Sequence, residues 1–227
     1  MNLQPWLAEP WRRLTDALTG GRLHHGLLFA APAGLGKRAL AEAFAVAALC
    51  TQRRPDGHAC GACRSCVLVA AGSHPDLVRI TFELRDDGKP RTEITIDQMR
   101  ALSQRFALSS QFGGLQIALV DPADRLNASA ANALLKTLEE PSAATIIALI
   151  ADDPSRLPAT IRSRCQRIEV PAPGREDALA WLRARRVDGA RAMAALDASL
   201  GNPGRALEWS GDDTLAMRKA CAEDLAA

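Results

Sequence analysis

Residues Ala31-Pro32-Ala33-Gly34-Leu35-Gly36-Lys37-Arg38 hold most of a phosphate-binding pattern, G-x-x-x-x-G-K-[ST]. In that pattern the glycines let backbone N–H groups close on an anion, the lysine reaches the phosphate, and the last hydroxyl holds magnesium. Gly34, Gly36 and Lys37 are present. The first glycine is replaced by Ala31 and the magnesium-holding hydroxyl by Arg38. Asp121 ends a later apolar run, where a magnesium-positioning aspartate is expected. Pro122 follows in place of a water-activating glutamate, and Asp124 lies further along, in an expected turn. No magnesium site is therefore expected, and the Arg38 cation stands where the metal would be. Three states stay open on these residues: an empty loop, nucleotide binding without turnover, and ATP hydrolysis.

Cys60, Cys63 and Cys66 are spaced two residues apart, and Cys50 precedes them. Four soft thiolates in mutual reach suit a closed structural zinc site, with no open coordination position for catalysis. An iron–sulfur cluster uses the same ligands, and His58 and His74 are rival fourth ligands. Gly57 and Gly61 permit the tight turns. Cys165 and Cys221 are expected to be core residues. This clustering suits thiolate chemistry in a reducing compartment better than disulfides.

The elements that must position these groups follow from periodicity. An apolar strand, Gly26 to about Ala31, enters the loop, and a helical pattern, Ala39 to Cys50, leaves it. Further strands are expected at 77–82, 115–120 and 145–151. Helices are expected at 6–19, broken or started by Pro10; at 97–109, capped by Asp97 and presenting Met99, Leu102, Phe106 and Leu108; and at 127–138. Short apolar strands alternating with helices imply a doubly wound α/β domain with a parallel sheet. After Pro171-Ala172-Pro173 no strand pattern follows. Helical patterns at 175–186, 190–200, 204–209 and 214–225 predict a small all-helical domain. The expected organisation is 1–170, with a cysteine module at about 50–73, then 171–227.

The bulk numbers exclude rather than identify. At 227 residues, 48% hydrophobic and 24% charged, the composition is that of an ordinary globular protein. A net charge of +2 does not by itself argue for a nucleic-acid partner. The segment 162–191 carries eight arginines against four acidic residues, which makes a basic region only. No apolar stretch is long enough to span a membrane, and the N-terminus has no secretory pattern.

These stretches, with His74-Pro75-Asp76, Asn132 to Pro141 (NALLKTLEEP), Asp153-Pro154 and Ile161-Arg162-Ser163-Arg164-Cys165, occur in one order over most of residues 23–170. In that order the chain resembles the delta-prime family of the bacterial DNA polymerase III clamp loader, within the AAA+ superfamily. The gamma/tau motor subunits share the pattern but keep an intact nucleotide site, which Ala31, Arg38 and Pro122 do not.

The resemblance implies an AAA+ P-loop-type domain with an inserted zinc module and a helical lid. It implies a non-hydrolysing stator within the DNA-directed DNA polymerase (nucleotidyltransferase) holoenzyme, helping to load the sliding clamp on primer-template DNA beside gamma/tau and delta subunits. Arg164 then becomes an arginine finger acting on a neighbour's ATP. Gly34, Gly36, Lys37 and Asp121 become a degenerate nucleotide site for ATP or ADP, and Arg205, after Gly204, stands in the sensor-arginine region. Ala151-Asp152 departs from the motor's Thr or Asn phosphate sensor. Lys136, Glu139 and Glu140 are expected near a subunit boundary.

A cytoplasmic, replisome-associated location follows from the same resemblance. So does a C-terminal collar that this chain is expected to lack, which would leave it monomeric alone. Two other readings compete. An active motor ATPase would show turnover by the isolated chain. A zinc-dependent DNA-binding module, with Arg53, Arg54 and Arg64 near the cysteines and Asp56 offsetting them, would show tight, salt-dependent DNA binding.

Overall fold

Short, fully apolar runs form strands buried on both faces, and such strands are stable in a parallel sheet covered by helices on each side. The computed structural model, which describes residues 3–226 except 86, 143 and 212, contains five strands: β1 (Gly26–Ala30), β2 (Leu77–Ile80), β3 (Gln116–Val120), β4 (Thr145–Ala151) and β5 (Gln166–Glu169), of which β1, β3 and β4 are buried along their whole length. Every pairing is parallel, in the order β2-β3-β4-β1-β5. The strands that carry the loop and its acidic partners, β1, β4 and β3, are therefore side by side in the sheet centre.

Helices α1 (Ala8–Thr19), α2 (Lys37–Leu49) and α3 (Arg64–Ala70) precede β2; α4 (Ile96–Phe106), α5 (Ala128–Glu139) and α6 (Ala159–Arg162) follow it. Alternation along the strands divides the core in two. Leu27, Phe29, Ile117, Leu119, Ile146, Ala148 and Ile150 pack with α1 and α2. Leu28, Ala30, Ala118, Val120, Ile147 and Leu149 pack with α4 and α5. Beyond the sheet, α7 (Arg175–Arg183), α8 (Gly189–Ala198), α9 (Pro203–Gly211) and α10 (Thr214–Ala226) form a separate apolar cluster around Leu182, Ala192, Leu196 and Ala206. No described helix is long and apolar enough to cross a membrane.

Several details depart from the sequence reading. Pro10 neither breaks α1 nor starts it; it occupies the third helical position, where a backbone N–H has no intrahelical acceptor to lose. Asp97 does not cap α4. Thr95 is the N-cap, and its N–H donates to Gln98 Oε1 at 3.0 Å, so the Thr-x-x-Gln box leaves Asp97 in the first turn. Helix α4 ends at Phe106, and Leu108 lies past it, exposed. Strand β5 was not expected, because Gln-Arg-Ile-Glu reads as polar. It is an edge strand that needs only Ile168 inside. Cys165 packs against the core as expected, but Cys221 is exposed, because α10 has no continuous apolar face to bury it.

Candidate functional site

In an open parallel sheet, ligands bind beyond the C-terminal ends of the central strands. Here that place is filled by charges of the chain itself. Strand β1 leads through Ala31–Gly36 into α2, whose first two residues are Lys37 and Arg38. Asp121 follows β3 and Asp152 follows β4. Lys37 is 1% exposed, and its Nζ donates to Asp152 Oδ1. Arg38 bridges both acids: Nε lies 2.8 and 3.0 Å from the Asp121 oxygens, and Nη1 and Nη2 each lie 3.0 Å from Asp152 oxygens. A paired guanidinium fork thus lies between two carboxylates, and two cations face two anions.

Burial pulls the Lys37 ammonium below its ordinary pKa, against the pull of Asp152. Burial raises the Asp121 carboxyl despite Arg38. Burial would raise Asp152 too, but the hydrogen bonds from Arg38 and Lys37 outweigh it and hold that carboxyl below its ordinary range. The hydrogen bond to Asp152 raises the Arg38 guanidinium further.

The loop is covered as well as neutralised. Gly34 and Gly36 both have φ +93°, as the loop pattern demands. A Cβ on Gly36 would meet the Gln4 side chain at 2.6 Å, and Trp6 Nε1 donates to Leu35 O at 2.9 Å. From the other side, Asn202 Nδ2 donates to Ala33 O at 2.7 Å. A Cβ on Gly204 would fall 2.3 Å from Gly34 O, so α9 begins in direct backbone contact with the loop. Arg205 contributes only its N–H, to Asn202 Oδ1; its side chain is exposed. Asp124 does lie in a turn, Ala123–Arg125, and accepts from the Asp153 N–H at 3.2 Å.

Cys50, Cys60, Cys63 and Cys66 are the one group among the described residues whose side chains are placed to hold a metal ion, with ligand atoms all within 4.8 Å of one another. Three of the Sγ separations are 3.6, 3.9 and 4.0 Å. Tetrahedral zinc with Zn–S bonds of about 2.3 Å requires sulfurs about 3.8 Å apart, so the set fits. Backbone N–H groups of Cys60, Ala62, Cys63 and Cys66 point at the sulfurs from 3.2 to 3.5 Å and stabilise negative charge on them. Gly57 and Gly61 have positive φ, as their turns require.

Neither rival histidine joins the cluster. His58 stacks on Trp11, with ring centroids 4.2 Å apart. His74 Nδ1 accepts from the Asp76 N–H at 3.1 Å, so Nε2 carries the proton and donates to Ser65 Oγ at 2.6 Å. This buried Ser–His pair braces α3 against the start of β2; its imidazole has no free lone pair with which to act as a base.

Arg164 lies elsewhere. It follows α6, is 39% exposed, and bonds Glu139 and the Thr160 carbonyl. The sequence reading placed Asp152 at an unusual position but gave it no partner. Only the strand order shows that it meets both Lys37 and Arg38.

A family model described as DNA polymerase III, delta subunit, matches residues 6–173. The DNA polymerase III subunit delta' of Pseudomonas aeruginosa is 44% identical over 183 residues, which is 80% of this chain and 52% of that protein. The subunit delta' of Escherichia coli is 38% identical over 225 residues, 97% of this chain and 65% of that protein. The tau/gamma subunit of Haemophilus influenzae is 33% identical over 159 residues, 70% of this chain and 22% of that protein. The chain thus spans about half to two thirds of the delta' relatives. Among solved structures, the RuvB Holliday junction branch migration motor of Thermotoga maritima aligns with a TM-score of 0.51 at 16% identity, over 96% of this chain and 64% of that one. At that identity the likeness shows the fold alone.

The charge cluster has a pH signature. Asp152, with its lowered carboxyl, contributes stability that is complete above the ordinary carboxylate range near pH 4 and is lost as pH falls through its folded-state value. Asp121, with its raised carboxyl, has the opposite sign. Asp152 is partly exposed and solvent-screened, so Asp152→Asn is expected to cost about 1–2 kcal/mol at pH 7. In urea unfolding that deficit should shrink as the pH falls below about 4. A deficit independent of pH would contradict the assignment.

Proposed function

We propose that this chain, which belongs to the DNA polymerase III delta' family, is a non-hydrolysing stator of a clamp-loading ring that supplies Arg164 to a neighbouring subunit's ATP. One observation carries the reading. The two cations that would bind phosphate and border magnesium, Lys37 and Arg38, are already paired with Asp152 and Asp121. Pro122, beyond Asp121, offers no base. Hydrolysis at this site would need a metal where Arg38 lies and an acceptor of a water proton that the loop does not provide. Gly34, Gly36, Lys37 and Asp121 are thus read as a relic of a nucleotide site, and Arg205 as a residue of the lid surface.

Arg164 has the opposite character. Its guanidinium is half-exposed on the turn between α6 and β5, next to the sheet edge, where another subunit can approach. A planar, permanently charged fork is suited to the equatorial oxygens of a transferring phosphoryl group. The subunits proposed around it are the gamma/tau motors and delta, with the sliding clamp and primer-template DNA reached through the assembly. Residues 1–170 would form the AAA+ body and 171–227 its lid.

The four cysteines are proposed to hold zinc as a structural ion. Its role would be to tie the end of α2 to the start of α3, since four protein ligands leave no position for substrate.

Two outcomes test this. The purified protein should carry one zinc per chain by elemental analysis, and Cys60→Ser should lose it and melt at a lower temperature. Iron in place of zinc, or unchanged stability without metal, would contradict the structural-zinc role. For Arg164, the informative assay is a reconstituted ring in which only the neighbouring motor site keeps its loop lysine. Arg164→Ala should lower DNA-stimulated ATP turnover there by at least about a hundredfold, with assembly intact. Unchanged turnover would remove the finger.

A further inference from the structure

The ion pair at the end of α5 bears on how Arg164 is presented. Glu139 is the last residue of α5, and its Oε1 lies 2.8 Å from Arg164 Nη2. The Thr160 carbonyl lies 3.0 Å from Nη1 and takes a second hydrogen bond. A guanidinium has five N–H donors in a fixed fork. These two bonds leave Nε and one hydrogen on each Nη unused, enough for a phosphate oxygen on an outward edge.

The Glu139 anchor is held in place by its neighbours in α5. Leu138, beside Glu139, is buried, and its carbonyl is 2.9 Å from His25 Nε2. Thr137 Oγ1 meets Ser103 Oγ at 2.8 Å and ties α5 to α4. The Arg164 carbonyl and the Leu138 side chain converge over Gly26, where a Cβ would lie 2.9 Å from Arg164 O and 3.0 Å from Leu138 Cδ2. The missing side chain of Gly26 is thus what lets the Arg164 turn rest against the end of α5. Glu140, the adjacent acid, is exposed and lines the α4–α5 groove instead.

We infer that Glu139 is a positioning residue for Arg164, holding the fork in one rotamer so that its free N–H groups face the neighbouring subunit. The inference rests on the proposed finger role of Arg164. An exposed ion pair adds little to folding stability. Its value here is orientation: a long side chain that is already ordered has less freedom to lose as the phosphoryl group transfers.

The test uses the same reconstituted ring with one active neighbouring motor site. Glu139→Ala should lower kcat there by about tenfold with little change in KM for ATP. Glu139→Asp should recover part of the loss. Melting temperature and ring assembly should be unchanged throughout. Turnover in Glu139→Ala/Arg164→Ala should equal that of Arg164→Ala alone. Normal kcat in Glu139→Ala beside an impaired Arg164→Ala would overturn the positioning role and leave the finger standing. Normal kcat in Arg164→Ala would overturn both. A further loss in the double variant would show Glu139 acting through something other than Arg164, and would also overturn it.

Discussion

Two cations at the start of α2 facing two carboxylates at the ends of β3 and β4 are the constraint on which the rest of the arrangement depends. A phosphate loop normally keeps its positive charge uncompensated, so that an anionic ligand is what completes it. In this chain Asp152 and Asp121 complete it from within. An incoming phosphate would have to displace Asp152 from Lys37 and Arg38 at once, leaving a partly buried carboxylate without its cations. Breaking these pairs opposes ligand binding, although exposure of Asp152 and Arg38 moderates the cost. Magnesium would meet a further obstacle, because the Arg38 guanidinium occupies the space between the carboxylates.

Closure of the site has structural consequences on both sides of the loop. The N-terminal segment, through Gln4 and Trp6, and the first turn of α9, through Asn202 and Gly204, rest directly on loop backbone. Trp6 also meets Trp181 of α7 edge-on at 5.6 Å, and Arg185 stacks on Trp181 at 3.7 Å. In a nucleotide-driven switch these surfaces would exchange contacts with the bound ligand. Here they rest on the loop and on Trp181 instead, which suits the proposed non-hydrolysing role. Glu139, at the end of α5, and Arg164, after α6, pair on that same fixed frame.

Much of the fold was legible because its signals are local. The largely apolar runs that became β3 and β4 could hardly be anything but buried strands, and the helix expected at 127–138 is α5, where Asn127 proves to be the N-cap, its carboxamide oxygen accepting from the Ala130 N–H. The spacing of Cys60, Cys63 and Cys66 made the cluster legible, with His58 and His74 as rivals to Cys50 until the structure placed Cys50 beside the other three. What stayed hidden was non-local or weakly patterned. Strand β5 has one buried side chain, so no period marks it. The Thr95 box was overlooked in favour of the nearer acid, Asp97. The charge cluster was only half visible: Arg38 announced a lost magnesium site, but its partner Asp152 lies 114 residues away and becomes adjacent only through the order β3-β4-β1. The Glu139–Arg164 pair was hidden likewise: the sequence reading gave Arg164 a finger role and Glu139 a place near a subunit boundary, but did not join them.

Isothermal calorimetry with MgATP shows most directly whether the chain's own charges fill the loop where a nucleotide would bind. The unmodified protein should show no binding heat up to millimolar nucleotide, whereas Arg38→Thr with Asp152→Asn, which frees Lys37 and restores the hydroxyl, should bind measurably. Micromolar binding of MgATP by the unmodified protein would contradict that filling of the loop by the chain's own charges.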